Sequence, residues 1–265
     1  MITSIKNQKI KNVMKLMTSA KARKEQDVFI VEGIRMFREI DKNDYVEGFV
    51  SSDFYENNRE YLNNCECSYE IVDNKVFEQM SGTLTPQGIM AVVKQKHYTI
   101  DDILPKDRPA HIIISEGIQD PGNLGTIIRC GEGAGITGVL MSKNTVDIYN
   151  PKTIRSTMGS IFRIPFLYTD NLEKSINYLK EKKVKLYAAH LKGEKNYDEV
   201  NYKESIGFLI GNEGNGLTDR TADMADSYIL IPMEGKVESL NAAIAASILM
   251  YEVNRQRRKE ILKVF

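Results

Sequence analysis

Two uninterrupted apolar runs, Ile112-Ile113-Ile114 and Phe208-Leu209-Ile210, constrain the fold of this chain more than any other feature. A strand with one wet face alternates apolar and polar residues. A run that is apolar at every position belongs in a sheet covered on both faces, which is the habit of parallel sheets. Strands are predicted over residues 111–115, 138–142, 163–167, 184–190, 206–210 and 228–231, with helices over 124–131, 151–158, 171–181 and 241–258 between them. The expected architecture is a doubly wound α/β domain, which binds ligands beyond the carboxyl ends of its strands.

The first part of the chain reads differently. Short alternating segments predict strands over 27–31, 48–51, 69–72 and 88–93, and helices over 33–40, 55–62 and 75–80. A polar stretch bounded by proline then separates the two regions. The expected organisation is a small α/β domain over residues 1–97, a linker over 98–109 and a second domain over 110–265. At 265 residues such a chain buries its cores without staples.

A hydrophobic share of 42% and a charged share of 27% are those of an ordinary globular protein. No apolar run approaches a membrane span, so no membrane partner and a cytoplasmic location are expected. The three cysteines (Cys65, Cys67, Cys130) lack the spacing of a disulfide framework or zinc pair, and are read as free thiols with no metal site. The formal net charge is zero, but its distribution is uneven. Residues 1–24 hold seven basic side chains (Lys6, Lys9, Lys11, Lys15, Lys21, Arg23, Lys24) and no acidic one. A presequence would favour arginine over lysine. This segment is either a solvated helix face or an arm for a polyanion. Arg255, Arg257, Arg258 and Lys259 form a second basic cluster.

Three loops follow buried strands. Residues 115–125 lead into a helix that Asn123 can cap and that carries Arg129 among apolar neighbours. A guanidinium so placed seeks a carboxylate within the protein or a phosphate outside it. Residues 211–217, Gly-Asn-Glu-Gly-Asn-Gly-Leu, have glycines that let backbone approach a ligand, with Glu213 at the centre as a binding group, a base or a solvated turn residue. Residues 231–241 place Ser239 and Asn241 before the helix 242–250, which is apolar on nearly every side and is expected to be buried all round. Either residue can cap that helix or hold a ligand. The glycines at 133, 135 and 138 match a dinucleotide fingerprint in spacing only, since they follow a helix instead of opening one. They read as a helix C-cap and turn. No histidine or cysteine lies within the three loops, which disfavours covalent catalysis.

The segment Asp120-Pro121-Gly122-Asn123-Leu124-Gly125 with Arg129, then Gly211-Asn212-Glu213-Gly214, then Ile231-Pro232-Met233 through Ser239-Leu240-Asn241, resembles the three motifs of the SpoU (TrmH-type) RNA ribose 2′-O-methyltransferases of the SPOUT class. The resemblance implies a trefoil-knotted C-terminal domain that binds S-adenosylmethionine, with Gly211, Ile231 and Leu240 at the cofactor. It implies that Arg129, Asn123, Glu213, Ser239 and Asn241 form the catalytic group. It also implies a homodimer joined through the C-terminal domain, and a front domain that binds structured RNA. Ribosomal RNA is the expected substrate, with transfer RNA second. A resistance methyltransferase and a non-catalytic RNA-binding assembly protein are the alternatives.

Overall fold

The computed structural model describes residues 1–190, 193, 195–237 and 239–261, with side chains as far as Arg258. Glu238 of the third loop and the side chain of Lys259 lie outside the described residues. The chain divides into two compact units, Met1–Lys96 with Asp147–Phe162, and His97–Val146 with Arg163–Phe265.

In chain order, the first region holds α1 (Gln8–Thr18), α2 (Ala20–Gln26), β1 (Val28–Glu32), α3 (Ile34–Phe37), β2 (Tyr45–Ser51), α4 (Ser52–Asn57), α5 (Arg59–Asn64), β3 (Tyr69–Val72), α6 (Asn74–Met80) and β4 (Ile89–Lys94). The sheet order is β1-β4-β2-β3, with β4 antiparallel to both neighbours and β3 parallel to β2. Ile10, Val13 and Leu16 of α1 recur on one helical stripe and pack with Phe49, Phe77 and Met90 in this unit's core.

The basic N-terminal segment is therefore no free arm. Asn7 caps α1 through the Lys9 N–H at 2.8 Å, and Ser19 caps α2 through the Ala22 N–H at 3.2 Å. Lys9 pairs with Glu47 and Glu70. Arg23 is 3% exposed and donates to the Leu16 carbonyl at 2.6 Å and to Asp147 Oδ2 at 2.6 and 3.0 Å. The helix expected over 55–62 is instead two, α4 and α5. The chain breaks at Asn58, whose side-chain amide donates to the Phe54 carbonyl at 3.0 Å in place of the helical ladder.

The rest of the chain holds β5 (His111–Ser115), α7 (Pro121–Ala134), β6 (Gly138–Ser142), α8 (Pro151–Thr157), β7 (Phe166–Thr169), α9 (Leu172–Glu181), β8 (Lys185–Ala189), β9 (Lys195–Asn196), β10 (Ile206–Ile210), α10 (Asp219–Ala222), β11 (Ser227–Leu230) and α11 (Ala242–Ile261). The seven strands form one parallel sheet in the order β7-β6-β5-β10-β8-β11-β9. Ile112, Ile113, Ile114, Phe208 and Leu209 are fully buried, as their unbroken apolar pattern requires.

β7 begins at Phe166 and not at residue 163. Pro165 has no N–H for the ladder and serves only as acceptor for the Val139 N–H at 3.0 Å. Within residues 98–109 a single 3-10 turn (Ile100–Ile103) is held by a Thr99/Asp102 capping box, and Ile103 is fully buried in the second unit's core. Segment 147–162, containing α8, belongs to the first unit, where Tyr149 and Phe162 bring their rings 4.7 and 6.3 Å from that of Phe29 on β1. Gly135, at φ +80°, ends α7, with the Ile136 N–H returning to the Gly131 carbonyl at 2.9 Å. The glycines after α7 are thus a C-cap and turn.

Candidate active site

Loop 115–125 leaves β5 and enters α7. The cap of that helix is Asp120, whose carboxylate accepts from the Asn123 N–H at 2.9 Å, with Pro121 at the first helical position. Asn123 is therefore not the cap, and its side chain is free to reach outward. Its Nδ2 donates to Glu213 Oε1 at 2.8 Å, and its Oδ1 accepts from Asn241 Nδ2 at 3.0 Å. One amide thus joins all three loops.

Loop 211–217 leaves β10 as a tight hairpin, with Asn212 and Gly216 exchanging backbone hydrogen bonds at 3.0 and 2.9 Å. Asn212 Oδ1 accepts from the N–H groups of Gly214 and Asn215, and its Nδ2 donates to the Gly117 carbonyl at 2.8 Å. The loop closes so tightly that a Cβ on Gly211 would stand 2.1 Å from the Gly216 carbonyl carbon and the Leu217 nitrogen. Glu213 also accepts from the N–H groups of Gln119 at 3.0 Å and Asp120 at 3.1 Å. Desolvation pushes its carboxyl upward. The Asn123 amide and the backbone donors outweigh that and hold the carboxyl below its ordinary value.

In the third loop, Asn241 Oδ1 accepts from the N–H groups of Ala243 at 2.9 Å and Ile244 at 3.3 Å, so Asn241 caps α11 while reaching Asn123. Ser239 is exposed and takes no part in that cap. The helix behind it is not buried all round. Ala243, Ala246, Leu249 and Met250 are buried, but Ile244 and Tyr251 are about half exposed, at 52% and 50%.

A cavity of about 390 Å³ lies at the carboxyl ends of β8, β10 and β11. Gly211, Ile231 and Leu240 line it, together with Glu213, Ser239 and the turn 189–190. Arg129 lies on α7, exposed, with no hydrogen bond or ion pair to another described residue. Its guanidinium is thus not consumed by an internal salt bridge.

Two groups that brace the site were not foreseen. Glu116, directly after β5, accepts from the Thr218 N–H at 2.8 Å and from the hydroxyls of Thr218 and Thr221 at 2.9 and 2.6 Å. Gln119 Nε2 donates to the carbonyls of Gly117 and Asn144 at 2.9 and 2.8 Å. Glu116 ties loop 115–125 to the start of α10, as Glu213 ties loop 211–217 to the start of α7. The position of Glu116 at the end of a buried strand was the available signal. The basic cluster of α11, by contrast, is largely structural. Arg255 pairs with Glu252, and Arg257 donates to the carbonyls of Tyr202, Pro109, Ala110 and Glu204.

A parallel α/β unit with a small-molecule cavity at the carboxyl ends of its central strands, and glycine-bearing loops joined there by an Asn-Glu-Asn cluster, is a ligand-binding unit of the doubly wound class. Residues 110–251 match the SpoU rRNA Methylase family, and residues 7–91 match the MRM3-like substrate binding domain. The chain belongs to the SpoU rRNA methylase family. It is 33% identical over 257 residues to the 23S rRNA (guanosine(2553)-2′-O)-methyltransferase RlmP of Bacillus subtilis, covering 95% of this chain and 98% of that one. An rRNA methyltransferase of Sinorhizobium meliloti with AdoMet bound superposes with a TM-score of 0.84 at 30% identity, covering 96% and 97% of the two chains. The SpoU methyltransferase AviRb of Streptomyces viridochromogenes shares the fold, with a TM-score of 0.85 at 24% identity over 96% and 99%.

Proposed function

We propose that this chain transfers a methyl group from S-adenosylmethionine to a ribose 2′-hydroxyl of ribosomal RNA. The observation that carries the reading is the Asn123 amide, which joins Glu213 of the cavity wall to Asn241 while Arg129, on the same helix, has no partner among the described residues. The cavity fits the cofactor. Its volume lies within the range of roughly 300–1,000 Å³ usual for small-molecule sites, and apolar groups such as Ile229 and Leu240 alternate with the backbone of 211–216. That mixture suits a nucleoside held through main-chain groups.

The bound cofactor supplies an electrophilic methyl. The chain's residues supply geometry and charge. Arg129 offers several donors in one plane in a rigid, positively charged fork. It therefore serves to hold an RNA phosphate and to stabilise negative charge on the 2′-oxygen as its proton passes to solvent, the oxygen–methyl bond forming in line as the methyl–sulfur bond breaks and the neutral thioether leaves. Glu213 and Asn241 keep the Asn123 amide from rotating, and Ser239 contributes a hydroxyl at the cavity wall. Proximity and orientation contribute to the rate gain in such a site.

Residues 1–97, together with the returning segment 147–162, form the RNA-binding domain, and residues 110–265 without that segment the methyl-transfer domain. The match of 7–91 to a substrate binding domain supports the first assignment. A trefoil knot near loop 231–241 is supported by β10 lying between the earlier strands β5 and β8, and by α11 packing back on α7. The uncovered Ile244 and Tyr251 support a homodimer joined through α11. Among the described residues no helix is long and apolar enough to cross a membrane. Action in the cytoplasm follows from the ribosomal substrate.

The test is transfer of labelled methyl from S-adenosylmethionine to ribosomal and transfer RNA pools from a strain lacking the protein, with mapping of alkali-resistant ribose. One 2′-O-methyl site in ribosomal RNA is expected. A site confined to transfer RNA would overturn the substrate, and failure to bind the cofactor would overturn the activity.

A further inference from the structure

The first unit carries a second, open cavity of about 300 Å³ between α1, the turn after α6, and α8. Met14, Met17 and Met80 line it, with Lys152 and Arg155, and among the described residues no carboxylate does. Lys11 and Lys15 share a stripe of α1 with Met14 and Thr18, at i, i+3, i+4 and i+7. Both are exposed, and neither pairs with another described residue.

Arg155 is placed with unusual care. Its Nη1 is buried without a hydrogen-bond acceptor, 4.0 Å from the Glu32 carboxylate. That carboxylate, 6% exposed, is already engaged by Ser81 Oγ, by Thr83 Oγ1 at 2.8 Å and by the Gly82 N–H at 3.3 Å. Glu32 thus pins the turn that walls the cavity. The other end of the turn is held by Gln87 Oε1, which accepts from the Ile34 N–H at 2.9 Å, and Leu84 between them is fully exposed.

Apolar, adaptable methionines flanked by cations suit one occupant, an unstacked nucleic-acid strand. Phosphates pair with the cations, and methionine moulds itself to whichever base or ribose lies on it. An apolar protein helix would leave Lys11 and Lys15 unmatched. We propose that a single-stranded segment of the substrate RNA crosses the first unit here, its phosphates on Lys11, Lys15 and Arg155, an unpaired nucleotide on the three methionines, and Leu84 as an apolar lip. This rests on the RNA methyl-transfer reading, and names the surface by which the front unit takes hold of the RNA.

The test measures binding of protein-free 23S ribosomal RNA by the full chain as a function of salt, for the parent, Lys11→Ala/Lys15→Ala and Arg155→Gln, with S-adenosylmethionine affinity measured calorimetrically beside it. Each single-strand phosphate contact contributes about 0.7 to the slope of log affinity against log salt. The double lysine variant is therefore expected to flatten the slope by about 1.4 and to bind roughly tenfold more weakly near 0.1 M salt. Cofactor affinity should not change. A parental slope in both variants overturns the proposal, and the lysine pair, being exposed, keeps it testable if Arg155→Gln melts early. If the parent transfers no methyl yet the variants lose RNA affinity, the methyl-transfer reading fails and the RNA surface stands. Methyl transfer by the parent with unaltered RNA binding by the variants is the reverse result.

Discussion

Asn123 has a single amide and uses both ends of it on other loops, so its effect is felt through Glu213 and Asn241 together. Three consequences follow at this scale. Arg129→Ala removes the unpaired guanidinium and should lower methyl transfer about 10²- to 10³-fold while leaving S-adenosylmethionine affinity within about twofold, as single-turnover assays and calorimetry would show. Gly211→Ala would drive a Cβ into the backbone of residues 216 and 217. Backbone cannot yield as a side-chain end does, so loss of cofactor binding and a destabilisation of about 2 kcal/mol are expected in thermal melts. The Glu213 carboxyl lies below its ordinary value in the folded chain. Its brace is therefore complete above the ordinary glutamate range, about pH 4 to 5, and is lost as pH falls through the lower, folded value. Cofactor affinity of the parent should decline on that acid limb. In Glu213→Gln it should be weaker at neutral pH and level across the limb, and an equally steep limb in the variant would count against the brace. Glycines and polar residues after apolar runs marked the three loops in the sequence. Which of them touch was not legible, because Asn123 and Glu213 are 90 positions apart and a side-chain contact leaves no periodic trace.

Among the elements, α1, α2 and α8 depend on one buried cation. Arg23 holds the end of α1 through the Leu16 carbonyl and the start of the returning segment through Asp147, whose side chain is 28% exposed. Arg23→Ala leaves that carboxylate partly desolvated with no cation and only the Tyr149 N–H at 2.9 Å, and should destabilise the first unit by about 3 kcal/mol, read as faster amide exchange in α1 and α8. Strands β5, β6 and β10 start and end where their largely apolar patterns do, since each is buried along its whole length. Helix limits departed from pattern where a local competitor intervened, as at Asn58 between α4 and α5. The charge run of residues 1–24 hid a second pattern in the same way. Its apolar positions Ile10, Val13 and Leu16 were as periodic as its lysines, and burial decided which face mattered.

For the molecule as a whole, α11 faces two environments. One side packs on α7, and the other leaves Ile244 and Tyr251 half exposed. Ile244→Asp should convert a dimer to monomers in sedimentation analysis, because a carboxylate cannot be left unpaired in an apolar interface. A monomeric parent would remove the dimer from the proposal. Residue type and spacing were enough for the parallel sheet and the three loops, because apolar runs and glycine-bearing turns are local consequences of burial and backbone sterics, and the family came from the resemblance of the three loop motifs. The return of residues 147–162 to the first unit, the use of Arg23 and Arg257 as internal clamps, and the meeting of Asn123, Glu213 and Asn241 at one point came from tertiary packing. Such contacts join groups far apart in the chain, and their energy depends on distance and desolvation, which no linear pattern carries.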